Sequence, residues 1–423
     1  MTASGARTSA PTPARLSASY YPALTMASTS LWAMILGPVL STIPSQVAEL
    51  APQQRIFALA MVTGIGGVVG IVGNPLIGRL SDATRSRLGR RRPWIIAGLA
   101  VILPASLTAG NAGSLAELVL WWSMLQLGAN MLMAPLTATI PDLVPVDRRG
   151  VASACLGISW AVAPVLGTAV QAFTGSARLT YPILAAIIAT SHLLFLLTLR
   201  GDRTQPSARP DRTQPSARPK STAPRLLRAL PQSRDFSLAW IHRFLFALGQ
   251  NAALSYLFYY LQDVIRYERL HPNSSTDEGV LILTAIYTPC VIIAALTAGT
   301  LADRTHRHKV YIVGATIIFA GGAFLGAFTG SWNGVLVLAA LTGIGFGAYE
   351  AVSMAMVIQL LPDQERRARD LSLINVATLI AIAIGPAVAA GLISLSGYVL
   401  MFVIAGISVL ASGAIVVLIR ATR

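Results

Sequence analysis

Charged side chains are what this 423-residue chain has least of: 12% of its residues, against 54% hydrophobic. A soluble domain carries roughly 25%. Scarcity on that scale excludes a soluble globular protein and implies a polytopic membrane protein. Cysteine is nearly absent. Cys155 and Cys290 lie in separate apolar stretches, which excludes a disulfide scaffold and a thiolate metal site. The 5 histidines and 17 carboxylates form no cluster with metal-ligand spacing, so no metal is expected. No Gly-Lys-Ser/Thr phosphate loop is present, which argues against ATP as the energy source. No nucleophile–base arrangement suggests an enzyme, and no cofactor is implied. Lysine is almost missing too: of the 32 basic residues, only Lys220 and Lys309 are not arginine, the bias of a GC-rich genome.

What the chain has is apolar length. Twelve stretches can each cross a bilayer as a helix of about 20 residues. They fall at 24–46, 56–78, 93–112, 116–140, 150–174 and 180–199, then 236–261, 279–300, 310–329, 334–360, 371–395 and 398–419. The expected fold is an all-α membrane protein of twelve transmembrane helices, with six-helix bundles at 24–199 and 236–423. Residues 1–23 lack the apolar core of a cleavable signal and are expected to form a disordered cytoplasmic tail. Residues 200–235 form a polar, proline-rich linker, expected to be cytoplasmic. Within it, Asp202–Pro210 is followed by an identical nine residues, 211–219, a duplication that a flexible linker tolerates.

A net charge of +15 would suggest a nucleic-acid partner in a soluble protein. Its placement gives another explanation. With both termini inside, cytoplasmic segments hold 27 of the 32 basic residues: 2 in the tail, 6 in loop 2–3, 2 in loop 4–5, 9 in the linker, 3 in each of loops 8–9 and 10–11, and 2 after the last span. Arg55, Arg178, Arg266 and Arg269 are external, and Arg243 lies within a span. This is a positive-inside pattern. The expectation is a multi-pass monomer in the lipid bilayer of the cytoplasmic membrane, both termini cytoplasmic, with no nucleic-acid partner.

The chain also repeats itself at an offset of 221 residues. Gly78-x3-Asp82 recurs as Gly299-x3-Asp303, Pro141-Asp142 as Pro362-Asp363, and Arg148 as Arg369. The halves are diverged copies in one orientation. Loop 2–3 runs Gly78-Arg-Leu-Ser-Asp82-Ala-Thr-Arg85-Ser-Arg87-Leu-Gly89-Arg90-Arg91-Arg92-Pro93-Trp94. It resembles the signature loop of the major facilitator superfamily, and in its longer form the glycoside–pentoside–hexuronide symporters and sucrose-transporter-like branch. Arg369-Asp370-Leu-Ser-Leu-Ile-Asn375 also resembles the latter. The resemblance implies parallel six-helix repeats with a transport site between them. It implies a latch holding the cytoplasmic side closed when the other side is open, assigned to Gly78, Asp82, Arg85, Gly89, Arg90 and Arg91, with Asp303 and Arg304 in the second copy. A carboxylate at a helix end can pair there with guanidinium groups, while a glycine lets a neighbouring helix approach. Arg87 and Arg92 are expected to set topology only.

Within the spans, polar side chains are few and so informative. Glu350 is the one carboxylate expected deep in a span. An ionisable group at that depth is costly and marks a functional site by default, here a proton carrier. Arg243 is the one buried cation, a partner for Glu350 or for a substrate. Gln126 and Asn130 in span 4, Gln250, Asn251 and Tyr256 in span 7, and Asn375 in span 11 supply amides and a hydroxyl that must find partners or face an aqueous cavity. Trp160 and Tyr349 supply aromatic faces. Together these eight form the candidate substrate site. His192 and His242 are expected to be packed or interfacial rather than titrating.

Departures from the relatives matter. Span 4 has no arginine, and Ala163-Pro164-Val-Leu-Gly167 is a degenerate form of the antiporter motif. The buried acid that plant-type sucrose transporters carry in span 4 is missing, which leaves Glu350 as the proton site or leaves coupling absent. The resemblance implies a secondary active transporter moving a small polar organic solute, a sugar, together with protons. The alternatives are a proton-driven pump for amphiphilic drugs and, in a different class, a non-transporting receptor on the same fold.

Overall fold

The computed structural model describes residues 19–199, 234–360 and 367–420. Most of the amino-terminal tail, nearly all of the linker with its repeat, and Pro362-Asp363 lie outside the described residues. Twelve helices follow. The first half holds α1 (Tyr20–Leu50), α2 (Arg55–Ala83), α3 (Arg92–Ala109), α4 (Leu115–Leu143), α5 (Arg149–Thr174) and α6 (Ala177–Thr198). The second holds α7 (Arg234–Ser255), α8 (Thr276–Thr305), α9 (His308–Phe328), α10 (Trp332–Gln359), α11 (367–395) and α12 (398–418). Ser396 and Gly397 leave the helical region between the last two, Gly397 at φ 73°, a conformation that glycine adopts without a Cβ penalty. Shifting α2 by the repeat offset gives 276–304 against the observed Thr276–Thr305. The internal copy is therefore structural.

Among the described residues nine helices are long and apolar enough to cross a membrane, the last being the continuous α11–α12 segment. The other two long helices, α4 and α7, are more polar. They carry Gln126 and Asn130, and Arg243, Gln250 and Asn251. A helix whose apolar band is interrupted by amides belongs inside a bundle rather than against lipid.

Local signals set the ends. Ser114 and Ser275 accept hydrogen bonds from the backbone N–H of Glu117 and Glu278, starting α4 and α8, the Ser-x-x-Glu spacing of a capping box. Close approach sets the packing inside each half. A Cβ on Gly37 would stand 2.5 Å from the Gly167 backbone, so α1 and α5 touch backbone to backbone. Gly343 and Gly347 seat α10 against the backbone of α8 in the same way. Glycines at these positions let the helices pack tightly within each half, while Gly64 and Gly67 of α2 face Ala383 of α11 across the halves.

Among the described residues the halves meet from one end to about mid-depth. The hydrogen bonds joining them, among the described residues, lie toward the end away from the arginine loops. Along α5 and α8 they form successive rungs. Gln171 donates to Asp277 at 3.2 Å, the Thr168 and Thr284 hydroxyls lie 3.0 Å apart, and Thr288 donates to the Ala161 carbonyl at 3.2 Å. Asp277, Thr284 and Thr288 are spaced i, i+7, i+11, one face of a helix. Arg55 donates to Gln262 at 3.1 Å and pairs with Asp263, while Tyr259 donates to the Pro44 carbonyl at 2.9 Å. Both α1 and the chain after α7 contain a π-turn near this seam, Pro38–Thr42 and Leu261–Ile265. Matching interruptions in two repeats often mark the working region of a transporter fold.

Candidate functional site

Arg243 and Glu350 meet. Each lies nine residues from the arginine-loop end of its helix, counting from Arg234 in α7 and from Gln359 in α10, so both sit about 14 Å in at 1.5 Å per residue. Equal depth on neighbouring helices brings them together. Arg243 donates to both carboxylate oxygens, at 3.1 and 3.2 Å. The arginine side chain is 5% exposed and that of Glu350 41%. A guanidinium fork matched to both oxygens is the strong form of this contact. Its aromatic backing is Tyr349, whose ring lies 5.8 Å from the guanidinium and stacks on Phe246.

One layer deeper, the aromatic wall crosses between halves. Trp160 of α5 lies 5.4 Å from Phe346 of α10, with Tyr287 of α8 on the same ring at 6.2 Å. Gln250 lies beside Tyr287. Below this layer, among the described residues, no hydrogen bond crosses between the halves. Glu350 is nonetheless well exposed although α10 is the most enclosed of the candidate spans. Among the described residues the opening between the halves therefore reaches from the arginine-loop side up to Glu350, and the aromatic layer roofs it.

The structure gathers some of the expected site residues and separates others. Trp160 and Gln250 lie at the aromatic layer, with Arg243 and Glu350 below it. Tyr349 is 1% exposed and props Arg243 from behind. Asn130 and Asn251 donate to carbonyls one turn back in their own helices, both at 2.8 Å, and Gln126 is half-buried beside Asn130. Asn375 is exposed on α11. Tyr256 lies elsewhere: fully buried in the seam, its hydroxyl sits 2.9 Å from the Ile56 carbonyl and 3.0 Å from that of Pro386. His242 is a satisfied core histidine, bonded to Ser412 and Ser353. Tyr287, Phe346 and Asp277 were not singled out by sequence reasoning. Tyr287 and Phe346 are ordinary apolar-face residues of their helices, whereas Asp277 carried a usable signal in the Ser275–Glu278 cap.

The latch loop is engaged within its own half. Arg91, buried at the start of α3, donates to Asp82 at 2.8 Å, to Asp142 at 2.8 and 3.0 Å, and to Ser81 at 3.1 Å. Burial disfavours its charge, but the bonds to Asp142 and Asp82 outweigh that and hold it above the usual arginine range. Asp142, marked in the sequence only as part of the repeat, is thus a member of this cluster. Arg90 reaches Asp82 at 3.3 Å, and Arg85 is exposed. Gly89 turns the loop at φ 94°. Nothing stands within 4 Å of a Cβ on Gly78, so no described helix of the second half packs closely there. Arg92 has a structural contact beyond topology, donating to the Leu199 carbonyl at the end of α6. In the second copy Asp303 faces His308 at 3.7 Å, while Arg304 is exposed. No group of His, Cys, Asp and Glu among the described residues could hold a metal ion.

A model of the Major Facilitator Superfamily matches residues 23–279 and 273–423. The chain belongs to the major facilitator superfamily. Members of this superfamily are transporters rather than enzymes. Curated relatives match in part. Human solute carrier family 45 member 3 is 34% identical over 180 residues, 35% of this chain and 32% of that one. Sucrose transport protein SUT2 of Oryza sativa subsp. indica is 32% identical over 160 residues, 32% of this chain and 31% of that one. Multidrug resistance protein MdtL of Vibrio parahaemolyticus is 32% identical over 115 residues, 27% and 28% of the two. The chain spans about a third of the length of these relatives. Among solved structures, a bacterial homolog of the human lysosomal transporter Spinster, inward-facing and occupied, superposes with TM-score 0.72 at 16% identity, covering 96% of this chain and 98% of that one. The nucleoside transporter NupG gives 0.71 at 14%, covering 95% and 99%. At these identities the likeness is one of fold. The superfamily protein is a multi-pass membrane protein of twelve helices in two repeats.

Proposed function

We propose that the protein is a secondary active transporter that moves a small polar organic solute, a sugar, together with protons by alternating access. In this proposal the arginine loops face the cytoplasm and the seam faces outward, in a monomer of the cytoplasmic membrane. The observation that carries it is the Arg243–Glu350 pair, buried on the arginine side and open to the cleft on the carboxylate side. A carboxylate there can exchange a proton with cleft water. When it does, Arg243 loses its counter-charge and must turn to the solute or to solvent. Trp160 offers an aromatic face and Gln250 an amide in the layer above the pair, groups suited to a hydroxylated ring. Partial similarity to a sucrose transport protein supports the solute class.

The test is paired uptake and counterflow in proteoliposomes with an imposed pH gradient. Glu350→Gln should abolish accumulation against a gradient and spare exchange, because exchange moves no net proton. A Gln variant that still accumulates solute would remove Glu350 from the coupling role. A second proposal, proton-driven efflux of amphiphilic compounds, is favoured by the partial similarity to MdtL and by the aromatic roof. A thermal-shift screen of the purified protein against sugars and amphiphilic cations separates the two.

A further inference from the structure

Asp277 is the buried acid that the Arg243–Glu350 chemistry leaves unused. It lies in the first turn of α8 and is 7% exposed, at the point where α8 of the second half meets α1 and α5 of the first. Each oxygen is met from across the seam. Ser41 of α1 donates to Oδ1, and Gln171 of α5 donates to Oδ2 at 3.2 Å. The Gln171 amide is itself oriented, because Thr180 donates to its Oε1 at 2.7 Å and leaves the NH2 group for Asp277. The other ionisable groups that face Asp277 are Glu268, in the turn before α8, and Glu278, its neighbour; both are acidic. Among the described residues no cation pairs with it. Asp263, another seam carboxylate, has Arg55.

A carboxylate enclosed without a counter-charge costs free energy that two neutral donors and the positive end of α8 offset only in part. Glu350 avoids that cost through Arg243, and Asp82 through arginine and water. Asp277 has neither when the seam is shut. Once the seam parts, Ser41 and Gln171 leave with the other half and water replaces them. The acid is therefore enclosed in one state and hydrated in the other. Any group in that position links its protonation to the conformational equilibrium.

We propose that Asp277 is a second proton-binding site, filled from the seam side, and that the seam shuts on the protonated acid. The proton comes from bulk water on that side and sits on Oδ1. There the Ser41 hydroxyl oxygen accepts the new hydrogen bond, since the Gln171 nitrogen can only donate and already serves Oδ2. Falling pH at the seam face then favours closure, and rising pH favours opening. The site takes no part in holding the solute. Its outward direction uses the orientation proposed above, but its existence does not.

The experiment measures seam closure directly. Spin labels at Gln53→Cys and Asn273→Cys, exposed positions on the two halves at the seam face, report the distance across it after Cys155→Ser and Cys290→Ser. In nanodiscs both faces share one pH, so the outcome is independent of orientation and of any substrate. Lowering the pH from about 8 to about 5 should raise the ratio of closed to open by roughly tenfold or more, as linkage to one group allows. Asp277→Asn, which keeps the size and one acceptor, should stay closed and lose the pH response. Glu350→Gln should keep it. Gln171→Leu removes a donor to the ionised form, so it should raise proton affinity by about tenfold, moving the midpoint to higher pH. That shift is readable even if Asp277→Asn does not fold. A purely structural role for Asp277 would instead shift closure equally at all pH values and overturn the proposal. So would an unchanged pH response in Asp277→Asn, or a response that vanishes in Glu350→Gln and survives in Asp277→Asn.

Discussion

Neutralising Glu350 should destabilise the fold through Arg243 rather than through lost packing. Glu350→Gln keeps the shape but leaves a guanidinium that is 5% exposed facing an amide with one acceptor oxygen. Removing one partner of a fully buried pair costs roughly 3–5 kcal/mol. Here the carboxylate is 41% exposed, so cleft water reaches the contact and the amide oxygen still accepts. We therefore expect about 1–3 kcal/mol, the cost of a partly satisfied buried group. Adding Arg243→Gln removes the stranded charge and leaves two amides able to bond each other. The double variant should then lose less than the two single losses added, with a coupling of about 1–2 kcal/mol. Thermal unfolding of the purified protein in detergent reads this cycle. Glu350→Gln should lower the midpoint, and the double variant should recover at least half of the loss. Strictly additive losses would mean that the 3.1 and 3.2 Å bonds carry no energy, and would refute the pair as an interacting unit.

Three further outcomes are expected. At the arginine loop, Asp82→Asn should cost less than about 1 kcal/mol, because that carboxylate is 62% exposed and Arg91 keeps Asp142. Asp82→Asn with Asp142→Asn should cost more than the sum, seen as a lower unfolding midpoint. At the α1–α5 contact, Gly37→Val drives a side chain into the Gly167 backbone and should cost about 1–3 kcal/mol or abolish expression. Gly157→Ala, which meets open space, should be neutral in the same assay. For topology, a cysteine at Ser86 should react with an impermeant thiol reagent only after permeabilisation, and one at Asn111 in intact cells; the opposite pattern would invert the orientation.

The helices were legible because a bilayer allows few alternatives: apolar length and the 221-residue copy place all twelve. Where hydropathy alone was followed it started α8 at Gly279, three residues late, and so put Asp277 in a loop. The Ser275–Glu278 spacing marks the earlier start, whereas the enclosure of Asp277 comes from Ser41 and Gln171 of the other half. Arg243 and Glu350 could be paired in sequence because lone opposite charges in an apolar medium have few other partners. Their equal depth emerges once both helix ends are known. Tyr256 shows the limit. Its type suits a ligand contact or a gate equally well, and only the break after Ser255, which turns the ring into the seam, distinguishes them.

That ring carries a mechanical consequence. The Tyr256 hydroxyl has two carbonyls in reach, Ile56 in the first half and Pro386 in its own. When the seam parts, the first acceptor departs with α2 and the second travels with Tyr256. The hydroxyl is never stranded, so opening is spared a penalty of about 1–3 kcal/mol for an orphaned polar group. A tie with a spare acceptor orients the halves when they are together and puts up little resistance when they separate. Such a joint favours fast exchange between two arrangements of similar energy over a deep well for either.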